Sequence, residues 1–188
     1  TITSQFSHLF PEPDAPSSTL NKIRSIEVNK NGNLFLGTQN GVVFFNTERN
    51  EFAVLEIEDT SLNNMGPIYS MIGTSFGQYW VTSDHGVYSF SDTDRTLRKV
   101  PLGFDDSCSQ ILFEDKQGTI WLTCEGVGVY KVSRANIFRS FEDQRVTKAF
   151  SLEVANDDSV LVGTSLFGLQ KWIPESNQLI KLNKGDPE

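Results

Sequence analysis

Apolar residues along this chain fall into short bursts separated by turn signals, and no helical stripe is sustained in any window. Ile23-Arg-Ser-Ile-Glu-Val28 has strand composition, and Asn31-Gly32 is a strong hairpin signal. Residues 34–36 form a second burst, 37–41 turn the chain, 42–46 return, and 52–57 complete a four-stranded meander. The same grammar recurs three times. It runs through 68–71, Gly77, 79–81, the turn 83–86, 87–90 and 97–102. It returns through 110–113, Gly118, 120–122, 125–128, 129–132 and 138–141, and again through 149–154, Asp157-Asp158, 160–162, 163–168, 169–172 and 178–182. In every unit the turn residue stands four before the last apolar residue of the second strand: Gly32 and Leu36, Gly77 and Val81, Gly118 and Leu122, Asp158 and Val162. The four apolar markers are 45, 41 and 40 residues apart, the period of a propeller blade.

The third strand of each unit is apolar at both ends: Val42 and Phe45, Val87 and Phe90, Val129 and Val132, Leu169 and Trp172. The members of each pair differ in parity and so face opposite sides of the sheet. A strand apolar on both sides must be covered on both, as when a blade stacks between two neighbours. The expected fold is therefore all-β, a β-propeller of four-stranded antiparallel blades with about four present. The divisions are 23–57, 68–102, 108–141 and 147–182 for the blades. Residues 1–22 are a lead-in holding the last strand of a preceding blade, and 183–188 are a tail.

Phe113-Glu-Asp-Lys-Gln-Gly-Thr-Ile-Trp-Leu-Thr-Cys124 resembles the two-component-regulator propeller repeat, as do Asn31-Gly-Asn-Leu-Phe-Leu-Gly-Thr38 and Val160-Leu-Val-Gly-Thr164. Segments 20–26 and 62–71 are similar to that family's lead-in between blades. The chain departs where Thr82 and Thr123 replace a glycine and Asp158 replaces the turn glycine. The resemblance implies a periplasmic sensor region of a membrane signalling protein whose output is a histidine kinase or a diguanylate cyclase. It also implies more blades than four, supplied by the same parent chain or by a second copy in a homodimer.

Composition narrows the function further. The net charge of −8 lacks the basic footprint of a nucleic-acid binder and disfavours an anionic membrane surface. The longest apolar run, 42–45, is far short of a bilayer span. The chain opens on Thr1 without a signal sequence and is expected to be a piece of a longer protein. Cys108 and Cys124 flank one hairpin, and strand parity sets them on opposite faces unless a bulge intervenes. Two buried free thiols are expected, with a disulfide as the alternative.

No catalytic constellation stands out. Gly73-Thr-Ser-Phe-Gly77 fits a nucleophile-elbow pattern but falls on a hairpin turn, where that motif needs a strand-to-helix turn. His8 and His85 are the only histidines, the cysteines lack a paired CxxC, and Asp92-Thr-Asp94 lacks the rest of a calcium loop. Neither a metal nor a cofactor is expected. Trp80, Trp121 and Trp172 recur at strand positions that favour packing between blades over a carbohydrate platform. The candidate surface is the face shared by the loops joining second to third strands and the loops joining blades. It carries Gln39, Asn40, Asp84, His85, Glu125, Ser165, Asn64, Asp105 and Asp106. The expected function is a non-enzymatic module that binds a small molecule or protein and alters domain or dimer packing. The rival readings are a lyase or glycosidase on the same scaffold and a purely structural dimerisation unit.

Overall fold

The computed structural model describes residues 7–62, 64–102, 109–125, 128–132, 138–146, 148–174 and 176–182. Four antiparallel sheets follow one another along the chain. The first holds β1 (Ile23–Val28), β2 (Leu34–Thr38), β3 (Gly41–Asn46) and β4 (Glu51–Val54). After the short β5 (Glu56–Ile57), the second holds β6 (Ile68–Gly73), β7 (Gln78–Ser83), β8 (Gly86–Ser91) and β9 (Thr96–Lys99). The third comprises β10 (Ser109–Glu114), β11 (Ile120–Cys124), β12 (Gly128–Val132) and β13 (Phe138–Glu142). The fourth comprises β14 (Ala149–Val154), β15 (Val160–Thr164), β16 (Gly168–Ile173) and β17 (Gln178–Lys181). The first strands lie side by side, β1 against β6, β6 against β10 and β10 against β14, so each sheet is one blade with its first strand innermost. The protein is a partial β-propeller.

The turn expected four residues before each marker is where the backbone enters the left-handed region. Gly32, Gly77 and Gly118 have φ of +78°, +84° and +76°, and Asp158 reaches +61°. An aspartate tolerates that conformation better than most residues, so the fourth hairpin keeps its register without glycine.

Three core clusters fill the joints between successive blades. Phe35, Val42 and Phe44 meet Met71, Tyr79, Val81 and Phe90 at the first joint. Trp80 and Val87 meet Leu112, Ile120 and Leu122 at the second, and Trp121 and Val129 meet Val160, Val162 and Trp172 at the third. A fourth cluster, Leu36, Val43 and Phe45, lies on the far side of blade 1 with Leu20 against it. Among the described residues no cluster joins blade 4 to blade 1.

Two local expectations change. The strand predicted over 52–57 ends at Val54, and Glu56–Ile57 crosses over to pair in parallel with Thr96–Leu97 at the outer edge of blade 2. Cys124 is disulfide-bonded and not the free thiol expected. Strand parity fails there because the β10–β11 register shifts between Ser109 and Leu112. Cys108 lies outside the described residues.

Candidate functional site

Each inner strand breaks register with its neighbour at the same place. The shift falls between Ile23 and Ser25, Ile68 and Ser70, Ser109 and Leu112, and Ala149 and Ser151. A bulge of this kind releases one residue from the ladder and re-aims its side chain. The second residues of the four inner strands are Arg24, Tyr69, Gln110 and Phe150. They stand at the end of the blades where the second-to-third-strand loops lie, and that end is the mouth of the central space.

The rest of this end is built alike from blade to blade. Thr38, Ser83 and Thr164 hydroxyls donate to the carbonyls of Gly41, Gly86 and Gly168 and accept the amides of Asn40, His85 and Phe167, closing each loop. Cys124 takes the equivalent place in blade 3. The positions that depart from the repeat glycine explain themselves through the bulge. At Gly37 and Gly163 a Cβ would stand 2.2 Å from Ser25 Oγ and Ser151 Oγ, so glycine is required there. Thr82 and Thr123 instead accept the backbone amides of Ser70 and Ile111 at 3.1 and 3.2 Å. Thr82 also donates to the Gln110 carbonyl of the next blade at 2.9 Å. Ser70 Oγ, displaced by Thr82, accepts the Leu112 amide across the same joint at 3.1 Å.

The mouth residues of blades 1 and 2 form one polar cluster. Arg24 Nη1 donates to Gln39 Oε1 at 3.1 Å, and its guanidinium carbon lies 5.5 Å from the Tyr69 ring centroid. The Tyr69 hydroxyl donates to Asp84 Oδ1. That bond, with burial and the Asp84 charge, pushes the Tyr69 phenol above its ordinary pKa, and Glu125 of blade 3 adds to the shift while Arg24 opposes it. Gln39, Asp84 and Glu125 thus belong to one electrostatic neighbourhood, and Arg24 and Tyr69 join them. Blade 4 contributes a different surface: Phe150, Leu166 and Phe167 are exposed.

The other predicted residues lie elsewhere or play plainer parts. Asn40 and Asn64 line a cavity of about 440 Å³ on the shoulder of blade 1, with Leu20, Leu55, Leu62 and Met65 among its apolar walls. His85 accepts the Lys99 ammonium at its carbonyl, and the Ser165 amide donates to Lys148. Asp105 and Asp106 lie outside the described residues. Ser75 of the elbow-like motif donates its hydroxyl and amide to the Glu114 carboxylate at 2.6 and 2.7 Å. It sits across the full length of β7 from His85, so the two share no site. Trp80, Trp121 and Trp172 are all buried. Among the described residues no group of three acidic, histidine or cysteine side chains is placed to hold a metal ion. Nor is any helix long and apolar enough to cross a membrane.

Arg24, Tyr69, Gln110 and Phe150 were not foreseen, although the sequence carries a trace of them. Ile-Arg-Ser-Ile, Ile-Tyr-Ser-Met and Ala-Phe-Ser-Leu align with the second position alone changing in character.

Solved structures place the fold in context. The chain matches the extracellular domain of the putative one-component system BT4673 from B. thetaiotaomicron at 18% identity and TM-score 0.69, over 90% of this chain and 25% of that one. The extracellular domain of the putative hybrid two-component system BT3049 from the same organism matches at 16% identity and TM-score 0.71, over 96% and 24%. Virginiamycin B lyase from Staphylococcus aureus matches at 13% identity and TM-score 0.69, over 92% and 58%. The chain therefore spans about a quarter of the length of the extracellular domains it matches. No protein-family description and no curated protein matches the chain. These likenesses establish the propeller fold.

Proposed function

We propose that this chain is part of an extracytoplasmic, periplasmic propeller that recognises a ligand or partner at its mouth and passes the event to a membrane-bound kinase or cyclase output. One observation carries the reading. At a backbone device repeated in all four blades, the side chains presented are a guanidinium, a phenol, an amide and a benzyl group. Residues that build the blades repeat, whereas these differ, which is what recognition by a repeat scaffold requires. The fold shared with extracellular domains of two-component systems supports the signalling context. Binding would act by favouring one packing of the mouth over another, since a ligand shifts an equilibrium only through its differential affinity. The lyase or glycosidase reading rests on fold likeness to a lyase at 13% identity, and no observation at the mouth favours it.

The test joins the sensor to a histidine-kinase reporter and replaces Arg24, Gln110 and Phe150 with Ala together. The expected outcome is at least a tenfold loss of signal response with an unchanged melting temperature, because all three side chains are at least partly exposed. A full response in the triple variant would refute recognition at the mouth.

A further inference from the structure

The connections between blades differ in length. Residues 55–67 lead from blade 1 to blade 2, residues 100–108 from blade 2 to blade 3, and residues 143–148 from blade 3 to blade 4. The longest makes an excursion. It leaves blade 1 at Leu55, whose amide donates to the Val42 carbonyl, and reaches the outer edge of blade 2 through Glu56–Ile57. The turn that follows is fixed by its own bonds. Asp59 Oδ1 accepts the Ser61 amide and hydroxyl at 2.9 and 2.6 Å, and the Leu62 amide donates to the Asp59 carbonyl at 3.1 Å. The segment then returns to the joint at Met65, where the Gly41 amide donates to the Gly66 carbonyl at 3.0 Å. Pinned at both ends, it lines the shoulder cavity of about 440 Å³ and does not fill it.

The cavity combines apolar walls with a set of acceptor oxygens. Leu55 and Met65, 6% and 1% exposed, are the most buried of its walls. Ile57 and Leu62 pack on the cluster of the first joint, and Leu20 packs on the cluster across blade 1. Its volume lies within the range of about 300–1,000 Å³ that suits a small organic molecule. Asn40, Glu56, Thr60 and Asn64 supply the polar groups, and each brings an oxygen able to accept a hydrogen bond. Asn64 Oδ1 accepts the Gly66 amide at 3.1 Å and keeps a second lone pair. The side chains of Asn40, Glu56 and Thr60 have no hydrogen-bond partner among the described residues. Glu58, two residues on, is neutralised by Arg98 at 3.0 Å, whereas no cationic side chain is among the described residues that line the cavity beside Glu56.

We propose that the shoulder cavity binds an organic ammonium ion, a primary amine on an apolar body, with the amine toward Glu56 and the body against Leu55, Leu62 and Met65. An ammonium group is all donor, which suits a lining of oxygens with lone pairs to spare. An anionic ligand would meet the Glu56 charge with no cation to offset it, and a neutral one would leave that carboxylate without a partner. The inference stands apart from whatever the mouth binds, because none of Arg24, Tyr69, Gln110 and Phe150 lines the cavity. The two places do share one loop: Asn40 follows Gln39, whose side chain accepts the Arg24 guanidinium at 3.1 Å.

The test titrates the chain with 4-phenylbutylamine, and with 4-phenylbutanol and 4-phenylbutyrate as its neutral and anionic matches, following backbone amide shifts by NMR. The amine is expected to bind saturably and more tightly than either match, with the largest shifts at residues 40–41, 55–57, 60–62 and 64–66. Glu56→Gln, at an exposed side chain, should weaken the amine about threefold, the scale of a solvent-exposed ion pair, and leave the alcohol unchanged. Leu62→Trp and Thr60→Trp, which place a ring in the cavity, should each weaken the amine about tenfold by displacing its apolar body. The proposal is overturned if the amine gives no saturable shift up to about 10 mM. It is equally overturned if the largest shifts fall at residues 24, 69, 110 and 150, or if the alcohol or the butyrate binds as tightly as the amine. An unchanged amine affinity in Glu56→Gln, or in both tryptophan variants, overturns it too.

Discussion

The joint between blades 1 and 2 and the joint between blades 3 and 4 solve one problem with different materials. At the first, Phe35 packs its ring 4.6 Å from Tyr79, 4.8 Å from Phe90 and 5.4 Å from Phe44, and the stack extends from Tyr79 to Phe90 at 5.1 Å. Arg95 caps Phe44 at 3.5 Å, and Asn29 bonds Asp92 across the turns at 2.9 Å. At the second, Trp121 and Trp172 meet edge to face at 5.5 Å among the described residues. Cavities of about 220 and 140 Å³ open beside it, lined by Asp115, Gln117 and Asp158. The lesson is that a propeller tolerates unequal joints. One joint is filled by stacked aromatic rings and the other by two tryptophans among valines, and a cavity adjoins each.

The sharpest way to break this comparison is to truncate equivalent residues. Phe35→Ala is expected to cost about 3–5 kcal/mol in denaturant unfolding, since a fully buried ring leaves a void among three aromatic neighbours. Trp121→Ala removes a larger side chain yet should cost no more, because the adjoining cavity lets water and neighbours move in. A clearly greater loss for Trp121→Ala would show the two joints to be equally well packed.

A second test turns on how each tryptophan is satisfied. Trp121 Nε1 donates to Asp115 Oδ2 at 2.8 Å, and Asp115 Oδ1 also accepts the Gln117 and Thr119 amides. Trp80 holds the same position in blade 2, but the turn residue there is Thr74, and Trp80 Nε1 is buried without a partner. Asp115→Ala should cost about 2 kcal/mol by stranding a buried donor. Thr74→Asp should gain about 1 kcal/mol by supplying the missing acceptor. No gain would mean that the threonine's own bonds to Gln78 are worth as much.

The smallest effects concern pH, and the two ends of the chain should respond in opposite senses. Burial raises the Glu27 carboxyl in blade 1 above its ordinary value, with the Gly73 backbone bond opposing. Its protonated form is favoured on folding, so its contribution is present below the ordinary carboxylate range and is lost as pH rises through it. In blade 4 the Lys171 ammonium and the Ser159 hydroxyl hold Asp157 far below the usual range. That contribution is present at neutral pH and disappears as pH falls through acid values. Urea midpoints between about pH 3 and 7 should therefore flatten at the acid end in Lys171→Met and rise slightly near neutrality in Glu27→Gln. Identical pH profiles for both variants and the parent would remove the contrast. Partial exposure of Glu27 and full exposure of Asp157 to solvent keep the effects small.

Most of the fold was legible because blade formation depends on local signals. Turn residues at fixed offsets and third strands apolar on both sides are properties of a few neighbouring residues, and Gly32, Gly77, Gly118 and Asp158 stand where the pattern put them. The mouth was legible only in part. Gln39 and Asp84 were found because loops between second and third strands are visible as turns. Arg24, Tyr69, Gln110 and Phe150 were not, because a bulge is a relation between two strands and leaves no mark in the composition of either. The same shift defeated the parity argument for Cys124. The shoulder cavity that holds Asn40 and Asn64 arises where the chain leaves one sheet for another, a crossing that no local pattern announces.

That crossing also bears on how such a chain can be cut and rearranged. Leu55 is still bonded to blade 1, through its amide and the Val42 carbonyl, while Glu56 and Ile57 already belong to the edge of blade 2. Glu58 then pairs with Arg98 at 3.0 Å and ties the crossing down. A unit copied or deleted with its ends at residue 57 would carry off an edge strand from the blade it leaves behind. The natural point of exchange lies between residues 55 and 56, so the module that can be shuffled intact begins before the blade it encloses.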